Sequence, residues 1–202
     1  DTYGDYTYTV SGDEATITGY SGPGGTVTIP STIGLGNYPV AAIGYEAFYK
    51  RTSLTDVTIP NSITDIGARA FYGCTNLTAT TIPSSVTNIG YQAFYECRAL
   101  TAVTIPNSVT SIEDSAFEEC VNLKSVTIGN SVTNIGVWAF YNCAALTSVT
   151  IPDSVEHIGN GAFFGCGDLT SVTIGNNVAH IGNQAFYNCA ALTSVTIPDS
   201  VE

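Results

Sequence analysis

Cationic side chains are scarce in this chain: five Lys+Arg stand against seventeen Asp+Glu over 202 residues, a formal net charge of −12. Binding to phosphate backbones needs a basic stripe, so this balance excludes nucleic acid as a partner. Charge of either sign is sparse, 11% of residues against 44% hydrophobic, which separates the chain from the low-hydrophobicity, high-charge sequences that stay disordered. No apolar run approaches the ~18–20 residues that a membrane-spanning helix requires, and direct membrane insertion is not expected. Methionine is absent and the chain starts at Asp1, a start that fits removal of upstream sequence such as a signal peptide. Histidine occurs only at His157 and His180. The GxSxG, HExxH, GxGxxG, CxxC and Walker patterns are all missing, which leaves no nucleophile elbow, zinc-binding helix or phosphate loop to build an active site on. The reading is non-enzymatic, with no cofactor and no metal site.

What the chain has instead is a repeat. Its six cysteines, Cys74, Cys97, Cys120, Cys143, Cys166 and Cys189, each fall 23 residues after the last, and a strict period of that size marks a repeat architecture. Units opening at Leu54, Leu77, Leu100, Leu123, Leu146, Leu169 and Leu192 share the pattern LxxVxIPxSVTxIGxxAFxxCxx. An earlier copy without the leucine carries Val27, Ile29, Pro30, Val40, Ile43, Ala47 and Phe48, with extra residues inserted around Gly34 to Pro39. Val57 and Ile59, at period 2, predict a strand with one buried face. Pro60, or Gly129 and Gly175 in its place, ends that strand. Val86 and Ile89 then predict a corner followed by Gly90. Ala93, Phe94 and Cys97 have helical spacing and predict a helical turn or two. A unit this short cannot bury its apolar face alone, whereas stacked units share one continuous core. The fold class read from these residues is an α/β repeat solenoid with a parallel sheet.

The pattern resembles the BspA-type (treponemal-type) leucine-rich repeat of bacterial and protozoan surface proteins, over about residues 24–202. The IP…IG…AFxxC core is specific to that subclass. The resemblance implies a parallel β-sheet on the concave face and short helical turns on the convex face. Residues Tyr6 to Tyr20 look like the hairpin that commonly precedes such arrays; independently, they read as two alternating strands around Ser11-Gly12-Asp13. The expected organisation is an N-terminal β-hairpin cap over residues 1–25 and an array of 23-residue units over 26–202, the last one truncated. Residues 139–156 and 185–202 are identical, 46 residues apart, as after duplication of a two-unit block. The stop at Glu202 in mid-unit, without a polar closing cap, reads as a piece of a longer array. Three positions break the pattern: Thr80 replaces the strand valine, Glu113 the corner glycine, and Arg51 stands where the first cysteine belongs.

Several columns of side chains are candidates for contact or chemistry. The cysteines read as small buried hydrophobes in the core; disulfides between neighbouring coils are geometrically conceivable, while ligands strung in a line do not make the tetrahedron zinc requires. The outward strand positions form a ladder of Thr28, Thr58, Thr81, Thr104, Thr127, Thr150, Thr173 and Thr196, beside Asp56, Ala79, Ala102, Ser125, Ser148, Ser171 and Ser194. β-propensity and solubility account for it; a protein- or glycan-contact face accounts for it too, as does a water-ordering, ice-binding face. After each core phenylalanine comes an aromatic residue, Tyr49, Tyr72, Tyr95, Tyr141, Phe164 and Tyr187, with Glu118 interrupting. These read as shields of the coil, and Trp138 as the better contact candidate. Glu96, Glu113, Asp114, Glu118 and Glu119 read as a solvated acidic face rather than a calcium site. His157 and His180 share a repeat position and should stack, but two ligands do not make a metal site.

By resemblance the chain is an adhesion module, extracellular or on a cell surface, whose partner is a protein or glycan. Its acidity favours a neutral or basic partner. The competing reading is a stalk or filament-forming spacer that associates with itself end to end and binds no ligand of its own.

Overall fold

A computed structural model describes residues 1–202, wound as a solenoid with one 23-residue unit per coil. The first strand of each coil is the Val-x-Ile segment. Gly25–Thr28, Leu54–Thr58 and Ala79–Thr81 make one parallel sheet, and Ala102–Thr104, Ser125–Thr127, Ser148–Thr150 and Ser171–Thr173 make another. Equivalent residues sit side by side, as Thr104 with Thr127 and Thr150 with Thr173. Valines and isoleucines point inward and the threonines outward, the alternation a one-faced strand must show.

The expected corner is a second strand. Asp65–Ile66, Asn88–Ile89, Ser111–Ile112, Asn134–Ile135, His157–Ile158 and His180–Ile181 pair in parallel, coil after coil. Two residues suffice because flanking amides extend the ladder: Thr87 N–H donates to Thr64 O at 2.8 Å and Gly90 N–H to Ile66 O at 2.8 Å, both toward the preceding coil. A Cβ on Gly90 would lie 2.6 Å from the Ala68 backbone nitrogen, so glycine lets the two coils approach here, although the next coil carries Glu113 at the equivalent position.

The expected helical turns are absent, and this corrects the α/β part of the fold class. The Ala-Phe-x-x-Cys segment is a run of tight turns in which backbone donors alternate between two destinations. Ala70, Tyr72 and Cys74 N–H bond three residues back, to Gly67, Arg69 and Phe71 O at 3.1–3.2 Å. Arg69, Phe71 and Gly73 N–H leave the coil and bond Tyr91, Ala93 and Tyr95 O of the following one, at 2.7–2.8 Å. Two residues per unit are left-handed, Arg69 (φ 57°) and Gly73 (φ 68°) here, Gln92 (φ 53°) and Glu96 (φ 56°) in the next. A left-handed residue every few positions stops helix propagation, and a segment this short has no length to nucleate one. Of 113 backbone–backbone hydrogen bonds, 86 lie outside the regular strands, some closing turns within a coil and others joining one coil to the next.

At the N-terminal end, Tyr6–Ser11 and Glu14–Tyr20 form an antiparallel hairpin. Glu14–Tyr20 then pairs in parallel with Tyr38–Ile43, the first long strand of the corner sheet. The hairpin therefore extends the corner sheet and leaves the Thr-bearing sheet to start at Gly25–Thr28. The inserted residues of the first coil fold back, Thr32–Ile33 pairing antiparallel with Tyr38–Ile43.

One continuous core of 55 buried residues runs the length of the coils. Phe48, Phe71, Phe94, Phe117, Phe140 and Phe163 are its largest members, stacked with ring centres 5.0–5.4 Å apart. Each cysteine thiol donates to the carbonyl of the phenylalanine one coil earlier, Cys74 to Phe48 O at 3.1 Å and Cys120 to Phe94 O at 3.2 Å. All six thiols are free and buried. The Thr-bearing sheet divides between Ala79–Thr81 and Ala102–Thr104, at the coil where Thr80 takes the valine position and turns its hydroxyl to Val57 O, 3.3 Å away.

Candidate functional site

The strand face is set by the period-2 alternation of the first strand. Thr58, Thr81, Thr104, Thr127, Thr150 and Thr173 are all exposed, with Ser125, Ser148 and Ser171 in the adjoining column. Thr196 is exposed too and lies past the last strand of that sheet. None of these ten hydroxyls has a hydrogen-bond partner within the protein. Elsewhere on the solenoid many hydroxyls are bonded to the neighbouring coil. Ser62 donates to Val40 O at 2.7 Å, Ser85 to Ile63 O at 2.6 Å, Thr78 to Thr55 O at 3.0 Å and Thr133 to Thr110 O at 3.1 Å. A hydroxyl is both donor and acceptor, so the strand face offers two rows of uncommitted hydrogen-bonding groups on a rigid lattice.

Along the C-terminal ends of those strands run three adjoining hollows of about 350, 490 and 280 Å³. Thr127, Thr150 and Thr173 form one wall, and Asn130 and Asn176 the other. Both asparagines are held by the preceding coil, Asn130 N–H by Asn107 Oδ1 at 2.8 Å and Asn176 N–H by Asp153 Oδ1 at 2.7 Å. The repeat predicts the threonine wall; the amide wall comes from the residue after Pro or Gly, a column that the pattern leaves variable.

The turn segments carry the aromatic columns. Tyr49, Tyr72 and Tyr95 stack at 5.1 and 4.5 Å, and Tyr141, Phe164 and Tyr187 at 5.0 Å for each pair. Trp138 is half-exposed on this face, well apart from the strand threonines, with its ring edge-on to Tyr141 at 6.3 Å. Glu118 interrupts the column. Burial raises its carboxyl above the usual range, with Glu119 and Glu96 adding to the rise and a Ser115 hydrogen bond opposing it.

The remaining candidates have little chemistry open to them. Burial pushes the Cys74 thiol up to about 12 and Cys97 and Cys143 well above the ordinary value, so these sulfurs stay protonated and poorly nucleophilic at neutral pH. His157 and His180 do stack, ring centres 4.9 Å apart and planes 8° from parallel, and two imidazoles alone do not complete a metal's ligand set. No three His, Cys, Asp or Glu side chains gather as a metal set.

The largest cavity, about 730 Å³, lies elsewhere, between the N-terminal hairpin and the inserted loop. Tyr3, Tyr8, Tyr38 and the fully exposed Leu35 line it. Only the insertion around Gly34 to Pro39 hints at it in the sequence, because the cavity exists where the repeat is broken.

Residues 41–166 and 87–202 match the BspA-type leucine-rich repeat region, in six copies. The crystal structure of a leucine-rich repeat protein from T. pallidum is 33% identical with a TM-score of 0.87, over 96% of this chain and 91% of that one. A leucine-rich repeat protein from Bacteroides ovatus is 34% identical with a TM-score of 0.92, over all of this chain and 54% of its own. A leucine-rich cell surface protein from Faecalibacterium prausnitzii is 28% identical with a TM-score of 0.57, over all of this chain and 83% of its own. No curated protein matches the chain.

Proposed function

Because the chain belongs to the BspA-type leucine-rich repeat family, we propose that it is a non-enzymatic interaction module, extracellular or on a cell surface, that grips a protein or glycan through its Thr/Ser strand face. One observation carries this reading: the ten outward hydroxyls of that face are all uncommitted, while many hydroxyls on other faces are bonded coil to coil. The grooves beside Thr127, Thr150 and Thr173 give a bound chain somewhere to lie. Pairing to the neighbouring coils fixes the spacing of the hydroxyls before a ligand arrives, which lowers the ordering cost of binding. The F. prausnitzii relative, described as a cell surface protein, supports the location.

The test is a matrix-protein and glycan array probed with the chain and with a Thr127→Lys, Thr150→Lys, Thr173→Lys variant. The variant should keep its circular dichroism and melting temperature while losing array binding by about tenfold or more, the effect of filling a groove with three long side chains. Equal binding by the two proteins would exclude the strand face. Absence of binding by both, with end-to-end association in light scattering, would replace the reading with that of a structural spacer.

A further inference from the structure

The turn face carries two aromatic ladders, and one of them already holds a cation. The Arg69 guanidinium straddles Tyr49 and Tyr72, 4.9 and 4.6 Å from their ring centres. It donates to the hydroxyls of Tyr45 at 3.2 Å and Tyr49 at 3.3 Å, and pairs with Glu46 at 2.6 Å. Ring faces and phenolic oxygens both suit a planar, delocalised cation, and Arg69 uses both.

The second ladder repeats the rings without the arginine. Tyr141, Phe164 and Tyr187 keep the 5.0 Å spacing, but the position that Arg69 holds beside Tyr49 and Tyr72 is occupied beside Tyr141 and Phe164 by Gly161. Gly161 is left-handed, with φ 59°, and a Cβ on it would lie 2.6 Å from Trp138 Cδ1. The indole of Trp138 therefore lies across the buried Gly161 and fills the place of a side chain there, leaving its own outer face half-exposed. No Lys or Arg occurs after Lys124, so these coils hold no cation to lie against their rings as Arg69 lies against Tyr49 and Tyr72. On the N-terminal side the rung before Tyr141 is the carboxylate of Glu118, and Glu119 accepts from Asn142 at 3.1 Å.

We propose that the seat formed by Trp138, Tyr141 and Phe164 binds an arginine side chain presented by a basic peptide segment of a partner protein. Aromatic platforms also suit neutral sugars, and charge separates the two. With a net charge of −12 the chain attracts a guanidinium over distance and holds it by cation–π contact, whereas a neutral sugar gains nothing from that field. The seat lies on the turn face, so it operates whether or not the strand face binds anything.

Trp138 is the only tryptophan, and its emission reports on the seat directly. The intact chain is titrated at low salt with an acetylated, amidated Gly/Arg hexapeptide, with the same peptide carrying citrulline, and with neutral hexasaccharides. Citrulline keeps the shape of arginine and removes its charge. The arginine peptide should give a saturable emission change, bind about tenfold more tightly than the citrulline peptide, and weaken as salt rises. Phe164→Ala should weaken it by about tenfold. Arg69→Gln provides a second readout that does not depend on the packing of the Phe164 ladder: it vacates the first seat, and calorimetric stoichiometry should rise from one peptide to two. Equal affinity for the arginine and citrulline peptides, emission changes with saccharides alone, or unchanged stoichiometry in Arg69→Gln would each overturn the proposal.

Discussion

Tyr20 and Phe48 face each other with ring centres 5.2 Å apart and planes tilted by 30°. A residue of the hairpin is thus the first rung of the phenylalanine stack, and Tyr6 backs it at 5.1 Å. Without Tyr20 the Phe48 ring would end the core against water. Tyr20→Ala should cost about 3–5 kcal/mol, the range for truncating a buried aromatic. Tyr20→Phe, which keeps the ring, should cost no more than about 1 kcal/mol. Urea denaturation of the two variants checks this, and equal losses would mean that the hairpin caps the core by its backbone alone.

The cysteine ladder predicts a steep alkaline limit to stability. Burial raises all six thiols above the ordinary value, Cys74 to about 12. A raised folded-state pKa means that the folded chain keeps protons which the unfolded chain releases once pH passes about 9. The stabilisation is complete below that pH and is lost as pH rises toward the folded-state values. Each thiol contributes a slope of at most about 1.4 kcal/mol per pH unit in that window. Melting temperature should fall steeply between pH 9 and 11, and Cys120→Ala should flatten the fall by one thiol's share. A thiol reagent at pH 8 should find no reactive sulfur in the native chain and six after denaturation.

Thr80 marks a weak coil. Replacing it with valine restores the core residue used at Val57 and Val103 and removes a hydroxyl that turns back on Val57 O. Thr80→Val should raise stability by about 1 kcal/mol. It should also increase hydrogen-exchange protection at Ala79–Thr81 and Ala102–Thr104, where the strand-face sheet now divides.

Arg69 should not tolerate lysine. A lysine ammonium has neither the planar shape to straddle Tyr49 and Tyr72 nor the fork that reaches Tyr45 and Glu46 with one nitrogen and the Tyr49 hydroxyl with the other. Arg69→Lys and Arg69→Ala should each lower stability by about 1 kcal/mol, measured by thermal denaturation.

The features legible in the sequence are those that the 23-residue period makes visible. Leu54, Val57, Ile59, Phe71 and Cys74 declare the core face simply by recurring. The outward threonines follow from alternation. The second strand was not legible, because two residues such as Asn88–Ile89 are too few to show a period. The turns were misread as helical because Ala93, Phe94 and Cys97 have the right spacing while the deciding bonds, such as Phe94 N–H to Ala116 O, go to another coil. One signal against a helix was present: the residue before cysteine is Gly73 and Gly165 in two coils and Asn142 and Asn188 in two more, the residue types that tolerate left-handed backbone. The uncommitted state of the strand-face hydroxyls and the packing of Trp138 over Gly161 depend on what neighbouring coils do, which one repeat consensus does not encode.

The opposed directions of the coil-to-coil hydrogen bonds have an electrical consequence. On the turn side Arg69, Phe71 and Gly73 donate toward the following coil, and on the corner side Thr87 and Gly90 donate toward the preceding one. The peptide dipoles on the two sides therefore oppose each other along the axis, unlike those of an α-helix, which align and build charge at its ends. Coils can be added or removed, as in the identical blocks 139–156 and 185–202, without a growing axial field.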